Sequence, residues 1–266
     1  MDCTCGHHHA PAADTGGTEI PLARPLVALH GRLICRDAAQ MMLALDLLPE
    51  HARLSRAERG CLRIEITQDD DPLVWTLDEI FADGNGFSAH QARAKDSEWG
   101  RRSGDLGRDF HRHALLPRLR PETPGDAAGI DALLRAAFGG GDEAALVRDL
   151  REAGHLTHSL IAHAGGVPVG HVALSPLQAE RPALALAPLA VHPALQGRGI
   201  GTALVRAALH AAGDAAVVVL GEPAFYARFG FLPADLASPY AGAHLMIRGE
   251  LPAGSAISHA PAFATL

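Results

Sequence analysis

Lysine is nearly absent: Lys95 stands alone among 23 lysine and arginine residues. A phosphate loop of the Gly-Lys-Ser/Thr type therefore lacks its cation, and no clustered basic stripe exists to track a nucleic-acid backbone. Nucleic acid is not an expected partner. Cysteine is scarce too, at four in 266 residues; without an export signal, that number does not describe a disulfide framework. No run of about 18 consecutive apolar residues occurs, so no transmembrane helix is expected. The first residues lack the basic region and apolar core of a signal peptide, and the expectation is a cytoplasmic protein with no membrane partner.

What is present is a chain that can bury a large core. It is 48% apolar and 20% charged, with a formal charge of −7. Its length fits one or two domains. The most telling stretch is Gln196-Gly197-Arg198-Gly199-Ile200-Gly201. It follows an apolar run ending in Val191-His192-Pro193 and opens the helical pattern from Thr202 to Leu209. A strand, a glycine turn and a helix N-terminus in that order form an anion site, because unpaired N–H groups and the positive end of the helix dipole converge there. The dinucleotide fingerprint Gly-x-Gly-x-x-Gly fits poorly, since the spacing here is Gly-x-Gly-x-Gly.

Leu189 to Gly201 instead resembles the acetyl-CoA loop of the GNAT N-acetyltransferases, Gln/Arg-x-x-Gly-x-Gly/Ala. Thirty residues on, Phe225-Tyr226-Ala227-Arg228-Phe229-Gly230-Phe231 is similar to that family's Tyr-x-x-x-Gly-Phe signature. The resemblance covers about 116–266. It implies a mixed β-sheet flanked by helices, acetyl-CoA as cosubstrate, and direct attack of an amine on the thioester without a serine or cysteine nucleophile. It also implies roles. The loop residues Gln196, Gly197, Arg198, Gly199, Ile200, Gly201 and Thr202 would hold the pyrophosphate. Leu189, Ala190 and Val191 would lie along the pantetheine arm, and Tyr226 would protonate the departing thiolate. Packing of Tyr226 among phenylalanines is the plain alternative. His192 and His171 are open candidates for the general base, Glu143 for acceptor selection, and the base stays unassigned.

Local patterns outline the elements. Arg118–Arg120 reads as a strand, followed by a helix presenting Ile130, Leu133, Leu134 and Phe138 on one face. A second helix passes Leu146 and Leu150 and stops at Ala153-Gly154. Gly165-Gly166 turns a hairpin. Strands follow near Ala183–Val191 and Ala215–Leu220.

The N-terminal half reads βαββα. Leu26–Ile34 is a strand, Asp37 caps a long helix to about Ala57, and Cys61–Ile66 and Leu73–Phe81 are strands. A further helix carries Phe87, His90 and Trp99, and only Asp109–His113 is available for a last strand. Glu-x-Phe, Phe-x-x-His and a later tryptophan resemble the antibiotic-biosynthesis-monooxygenase (ABM) domains, ferredoxin-like modules that dimerise through their sheets. The resemblance covers about 25–113 and implies a homodimer. If this half is catalytic, His90, Trp75 and Trp99 are the residues to test.

Residues 1–24 read as a disordered tail. Its Cys3, Cys5 and His7–His9 give it adventitious metal affinity, and no residue is assigned to a metal site. The fold class is α/β (α+β), a ferredoxin-like domain followed by the GNAT sheet. The leading function is transfer of an acetyl group from acetyl-CoA to an amine on a small molecule or peptide. Two alternatives stay open: a cofactor-independent monooxygenase whose C-terminal half binds an acyl-CoA, and a non-catalytic protein responsive to metal or acyl-CoA.

Overall fold

The computed structural model describes residues 16–265. Most of the tail, with its cysteines and histidines, lies outside the described residues. The rest departs from the expected disorder. Thr18–Glu19 forms β1 and pairs antiparallel with Arg118–Leu119, at the edge of the C-terminal sheet. Ile20 and Leu22 are buried behind it, and burying two branched aliphatic side chains offsets the entropy of ordering the segment.

The N-terminal half builds a four-stranded antiparallel sheet. Its strands are β2 (Leu26–Ile34), β3 (Cys61–Gln68), β4 (Val74–Phe81) and β5 (Gly107–Leu115), in the order β3-β4-β2-β5. The last strand is longer than expected, pairing with β2 from Leu26↔Leu115 to Ile34↔Gly107. Alternation along β4 points Trp75, Leu77 and Glu79 to the buried face. Helix α1 (Ala38–Arg56) covers that face, its first turn capped by Asp37, which accepts from the Gln40 amide at 2.9 Å. The predicted third helix is two: α2 (Gly84–Asp96) stops at Ser97, which caps α3 (Glu98–Arg102) carrying Trp99.

From β6 (Arg118–Pro121) the chain makes the second sheet. Helices α4 (Ala127–Phe138) and α5 (Asp142–Glu152) precede the hairpin β7 (His158–Ala164) and β8 (Val167–Leu177). Its turn glycines, Gly165 and Gly166, both have positive φ, as a two-residue hairpin of matching twist requires. Then come β9 (Ala183–Val191), α6 (Ile200–Ala212), β10 (Ala216–Leu220) and α7 (Pro223–Tyr226). Short β11 (Leu232–Pro233), β12 (Leu236–Ala237), β13 (Leu245–Arg248) and β14 (Ser255–Ala256) end the chain. The eight-stranded order is β1-β6-β7-β8-β9-β10-β13-β11, with β12 and β14 paired separately. Ile130, Leu133 and Leu134 are buried on α4 as expected, but Phe138 is 44% exposed.

The two halves share one core. Leu26, Ile80 and Ala82 join the cluster built by Val172, Leu204 and Phe231. Arg63 donates from Nη1 to the Gly165 carbonyl at 2.7 Å.

Asp126 closes the turn into α4. It accepts from Arg120 Nη1 (2.7 Å) and Nη2 (3.0 Å), and from the Thr123 amide and hydroxyl, both at 2.7 Å. Burial alone would raise its pKa, but these bonds outweigh it and bring the carboxyl to about 2. An unfolded aspartate titrates near ~3.9. The folded state thus favours the ionised form, and the resulting stability is present above about pH 4 and lost as pH falls toward 2. This amounts to roughly 2 kcal/mol. Asp126→Asn is expected to lower the Tm by about 5 °C at neutral pH, with the gap to wild type closing toward pH 2. A gap that does not change with pH in thermal melts would contradict the assignment.

Candidate active site

The site opens where β9 and β10 part. Their parallel pairing covers only Ala183–Ala185 against Ala216–Val218. On its other edge β9 carries an extra residue against β8: Leu189 pairs with Val172 and Leu186 with Leu174. That bulge falls at Ala187-Pro188. Proline has no N–H for the ladder, and a bulge bends its strand, so β9 turns away from β10. Beyond Ala185, one edge of β9 faces a gap rather than a strand, and unpaired main-chain groups there suit an extended amide-bearing ligand. The gap is a cavity of about 400 Å³. Leu186, Leu189, Leu220 and Phe138 give it an apolar lining, with Tyr226, Glu143 and Glu222 as polar members.

The glycine loop lies at the end of β9. Gly197 (φ +74) and Gly199 (φ +93) adopt left-handed backbone, and a Cβ on either would meet nothing within 4 Å. Their outer face is therefore open. Gly199 starts α6 with no side-chain cap. The Ala203 amide donates to the Gly199 carbonyl at 3.0 Å, so the amides of the preceding turn carry the helix's unpaired positive end. Gln196 fastens the loop by donating from Nε2 to the Val191 carbonyl at 3.3 Å. Ile200 and Ala190 point inward, both 1% exposed. Val191 and Thr202 are half-buried.

The Arg198 side chain leaves the loop. Its guanidinium does not lie at the rim of the anion loop but turns into the N-terminal half. There it donates from Nη1 to the Ala82 carbonyl (2.7 Å) and from Nη2 to Asp83 (2.9 Å). Asp83 also accepts from the amides of Asn85 and Gly86, both at 3.0 Å, and caps α2. The Gly86 amide above all, with Arg198 also helping, holds its carboxyl below the usual range despite burial. A cation within the loop was legible in sequence, but its partner 115 residues upstream was not. Asp83→Ala is expected to raise the KM for acetyl-CoA about 10-fold, as loss of a charged hydrogen bond of ~1.5 kcal/mol would, with kcat nearly unchanged. Steady-state kinetics with varied acetyl-CoA checks the split.

Tyr226 ends α7 and is 7% exposed, with its ring edge-to-face against Phe225 (4.9 Å) and Phe231 (5.5 Å). Burial pushes its phenol up to about 12, so it stays protonated across the working pH range. Gly221 makes room for it: a Cβ there would lie 2.4 Å from Tyr226 Cε2.

The histidine candidates fall elsewhere. His171 is fully buried, with Nε2 2.9 Å from the Ser159 hydroxyl, which in turn donates to Glu122. Burial above all lowers its pKa to about 4. It belongs to a polar knot under α5, where Arg151 donates to Glu122 at 2.7 Å. His192 caps a short turn, accepting from the Ala194 amide at 3.3 Å, and does not line the cavity. Glu143 does line it. The sequence reading missed Tyr240, His259 and Phe263, which close the far wall. His259 packs edge-to-face on Tyr240 at 5.1 Å. No motif or period marks these residues; the return of the last segment under α5 brings them in.

The comparisons with known proteins agree with this geometry. The Acetyltransferase (GNAT) family profile matches residues 128–231, and the Antibiotic biosynthesis monooxygenase profile matches 37–99. The uncharacterized N-acetyltransferase YhbS of Escherichia coli K12 is 48% identical over 120 residues, 42% of this chain and 72% of that protein. A second E. coli K12 protein, the uncharacterized N-acetyltransferase YjhQ, is 37% identical over 118 residues, 41% of this chain and 65% of its own length. The crystal structure of E. coli YhbS in complex with CoA superposes with a TM-score of 0.53 at 37% identity, covering 57% of this chain and 94% of that one. The chain belongs to the GNAT family of N-acetyltransferases, enzymes that use acetyl-CoA, and it carries an ABM domain ahead of the transferase fold.

Proposed function

We propose that this enzyme acetylates a small primary amine with a compact apolar body. The observation that carries the reading is the cavity between β9 and β10, where an unpaired strand edge and a buried phenol meet, with the open N-terminus of α6 following the end of the same strand. The amides from Gln196 to Thr202 hold the pyrophosphate. The free edge of β9 at Leu189, Ala190 and Val191 takes the pantetheine amides, as an added strand would. The neutral amine attacks the thioester carbon, and the C–N bond forms as the C–S bond breaks. The Tyr226 hydroxyl gives its proton to the leaving sulfur, and the proton lost by the amine nitrogen passes through solvent to restore the phenol. A phenol at about 12 is a weaker acid than a solvated thiol, but burial raises a thiolate by the same desolvation, so the two are drawn toward a match.

Acceptor class follows from the lining. Leu146, Leu186, Leu220 and Phe263 suit an apolar body, and Glu143 and Glu222 supply negative charge for an ammonium group. The volume admits a molecule of roughly a dozen heavy atoms. The test compares arylalkylamines, polyamines and lysine peptides as acceptors. Arylalkylamines should show the highest kcat/KM, and Glu143→Gln should raise their KM about 5-fold, near 1 kcal/mol. Preference for a polyamine or peptide would reject the class.

The N-terminal sheet supports a homodimer. The face of β2, β3, β4 and β5 opposite α1 bears half-exposed His30, Arg32 and Thr76 and the exposed Ile34, and no described helix covers it. Light scattering should report twice the chain mass.

A further inference from the structure

Within the N-terminal domain, three buried side chains from three elements converge. They are His51 on α1, Glu79 on β4 and His90 on α2, and each brings a ligand-capable atom within 4.8 Å of the others. None belongs to the acetyl-CoA site. His90 Nδ1 lies 3.0 Å from Glu58 Oε2 and 3.3 Å from Arg93 Nη2. The shorter contact, to the carboxylate, takes the ring's N–H, because Arg93 already has Glu58 and Ser55 as closer acceptors. Nε2 is left with a lone pair, and it faces Glu79 Oε2 at 3.7 Å. Two acceptors thus oppose one another with no donor between them. Glu79 Oε2 has no hydrogen-bond partner although its side chain is only 3% exposed.

The nearby cation is already engaged. Arg93 donates from Nε to Glu58 at 2.7 Å and from Nη2 to the Ser55 hydroxyl at 2.6 Å. It neutralises Glu58 and leaves Glu79 as the uncompensated charge, an arrangement that burial strongly disfavours. A proton or a metal ion fills such a gap. The third group decides between them, because a shared proton needs only Glu79 and His90, whereas His51 completes a donor set of two imidazoles and one carboxylate.

We propose that His51, Glu79 and His90 bind one divalent first-row metal ion of the Zn²⁺ or Fe²⁺ class, with Glu58 as the outer carboxylate that orients His90. Two ligands at about 2.1 Å from a common ion, at a tetrahedral angle, stand about 3.4 Å apart. The 3.7 Å between His90 Nε2 and Glu79 Oε2 is close to that spacing. A carboxylate on the far nitrogen of a ligating histidine is the usual support for such a site, since it fixes the tautomer. The donor set matches both catalytic zinc and non-haem iron centres. Arg93 reaches His51 Nδ1 only at 3.4 Å, its longest contact here, and that contact yields when the ring turns to the ion. The Trp99 ring lies 5.2 Å from His51 and covers it.

Trp99 therefore reports on the site. The test strips the full chain with chelator, then titrates Zn²⁺ and Co²⁺ while following tryptophan fluorescence, visible cobalt absorption and Tm. Close to one equivalent of Co²⁺ should quench the fluorescence, and Zn²⁺ should raise the Tm by several degrees. Cobalt on the Cys3/Cys5 segment would give a near-ultraviolet thiolate band and leave Trp99 unchanged. Glu79→Gln and His51→Ala should lose the quench yet still bind acetyl-CoA, which reports an intact fold. If stripped wild type shows no change in fluorescence or Tm with a large excess of either ion, the gap holds a proton and the proposal fails. It fails equally if Glu79→Gln keeps the quench.

Discussion

Gly199→Asp raises the Kd for acetyl-CoA at least about 100-fold, and titration calorimetry with the folded variant reads it directly. Two effects combine. At φ +93 any side chain is strained by about 1 kcal/mol. Worse for binding, the new carboxylate sits at the N-cap of α6 and accepts from the amides that should face a phosphate. It occupies the anion site from within and repels what remains of the ligand charge. Losing charged hydrogen bonds worth ~1.5–3 kcal/mol each accounts for the size of the effect. Because aspartate is also a good N-cap, the Tm should fall little. A variant that binds acetyl-CoA like wild type would remove the loop from the donor site.

Tyr226→Phe is the second large effect, and it should appear in kcat alone. The ring keeps its edge-to-face contacts with Phe225 and Phe231, so packing and acetyl-CoA affinity are retained within about 2-fold. The missing proton donor costs kcat roughly 100-fold or more. The pH profile carries a further sign. With its pKa pushed up to about 12 by burial, the phenol loses its proton only as pH approaches that value, so Tyr226 produces no alkaline fall in kcat below about pH 11. If kcat is unchanged in Tyr226→Phe, the residue only packs.

The parts of this account visible in sequence are those carried by local rules. The glycine run, the hairpin glycines Gly165-Gly166 and the Asp37 cap each act within a few residues, and each stands where its chemistry predicts. The misreadings concern contacts between segments remote in the chain. Arg198 looked like a phosphate ligand because it interrupts the glycine loop, but Asp83 and the Ala82 carbonyl hold it. Phe138 matched the apolar face of α4 by period, yet its position at the helix end directs it to the cavity. His171 alternates correctly along β8, but no periodicity reveals that Ser159, Glu122 and Arg151 surround it. Tyr240, His259 and Phe263 enter the wall from a segment with little regular structure, where pattern gives no signal.

Those cross-chain contacts also bear on why an ABM domain precedes the transferase. Asp83 caps a helix of the first domain and anchors the donor loop of the second, and Leu26, Ile80 and Ala82 lie in the core of the second sheet. The first domain therefore forms part of the framework that holds the glycine loop of the second.

The most direct test of the central claim follows free CoA thiol and acetylated product together, in wild type, over a panel of primary amines with acetyl-CoA saturating. The account predicts thiol release in step with N-acetylation of arylalkylamines, one product for each thiol. Tight acetyl-CoA binding with no amine-dependent thiol release across the panel would contradict it.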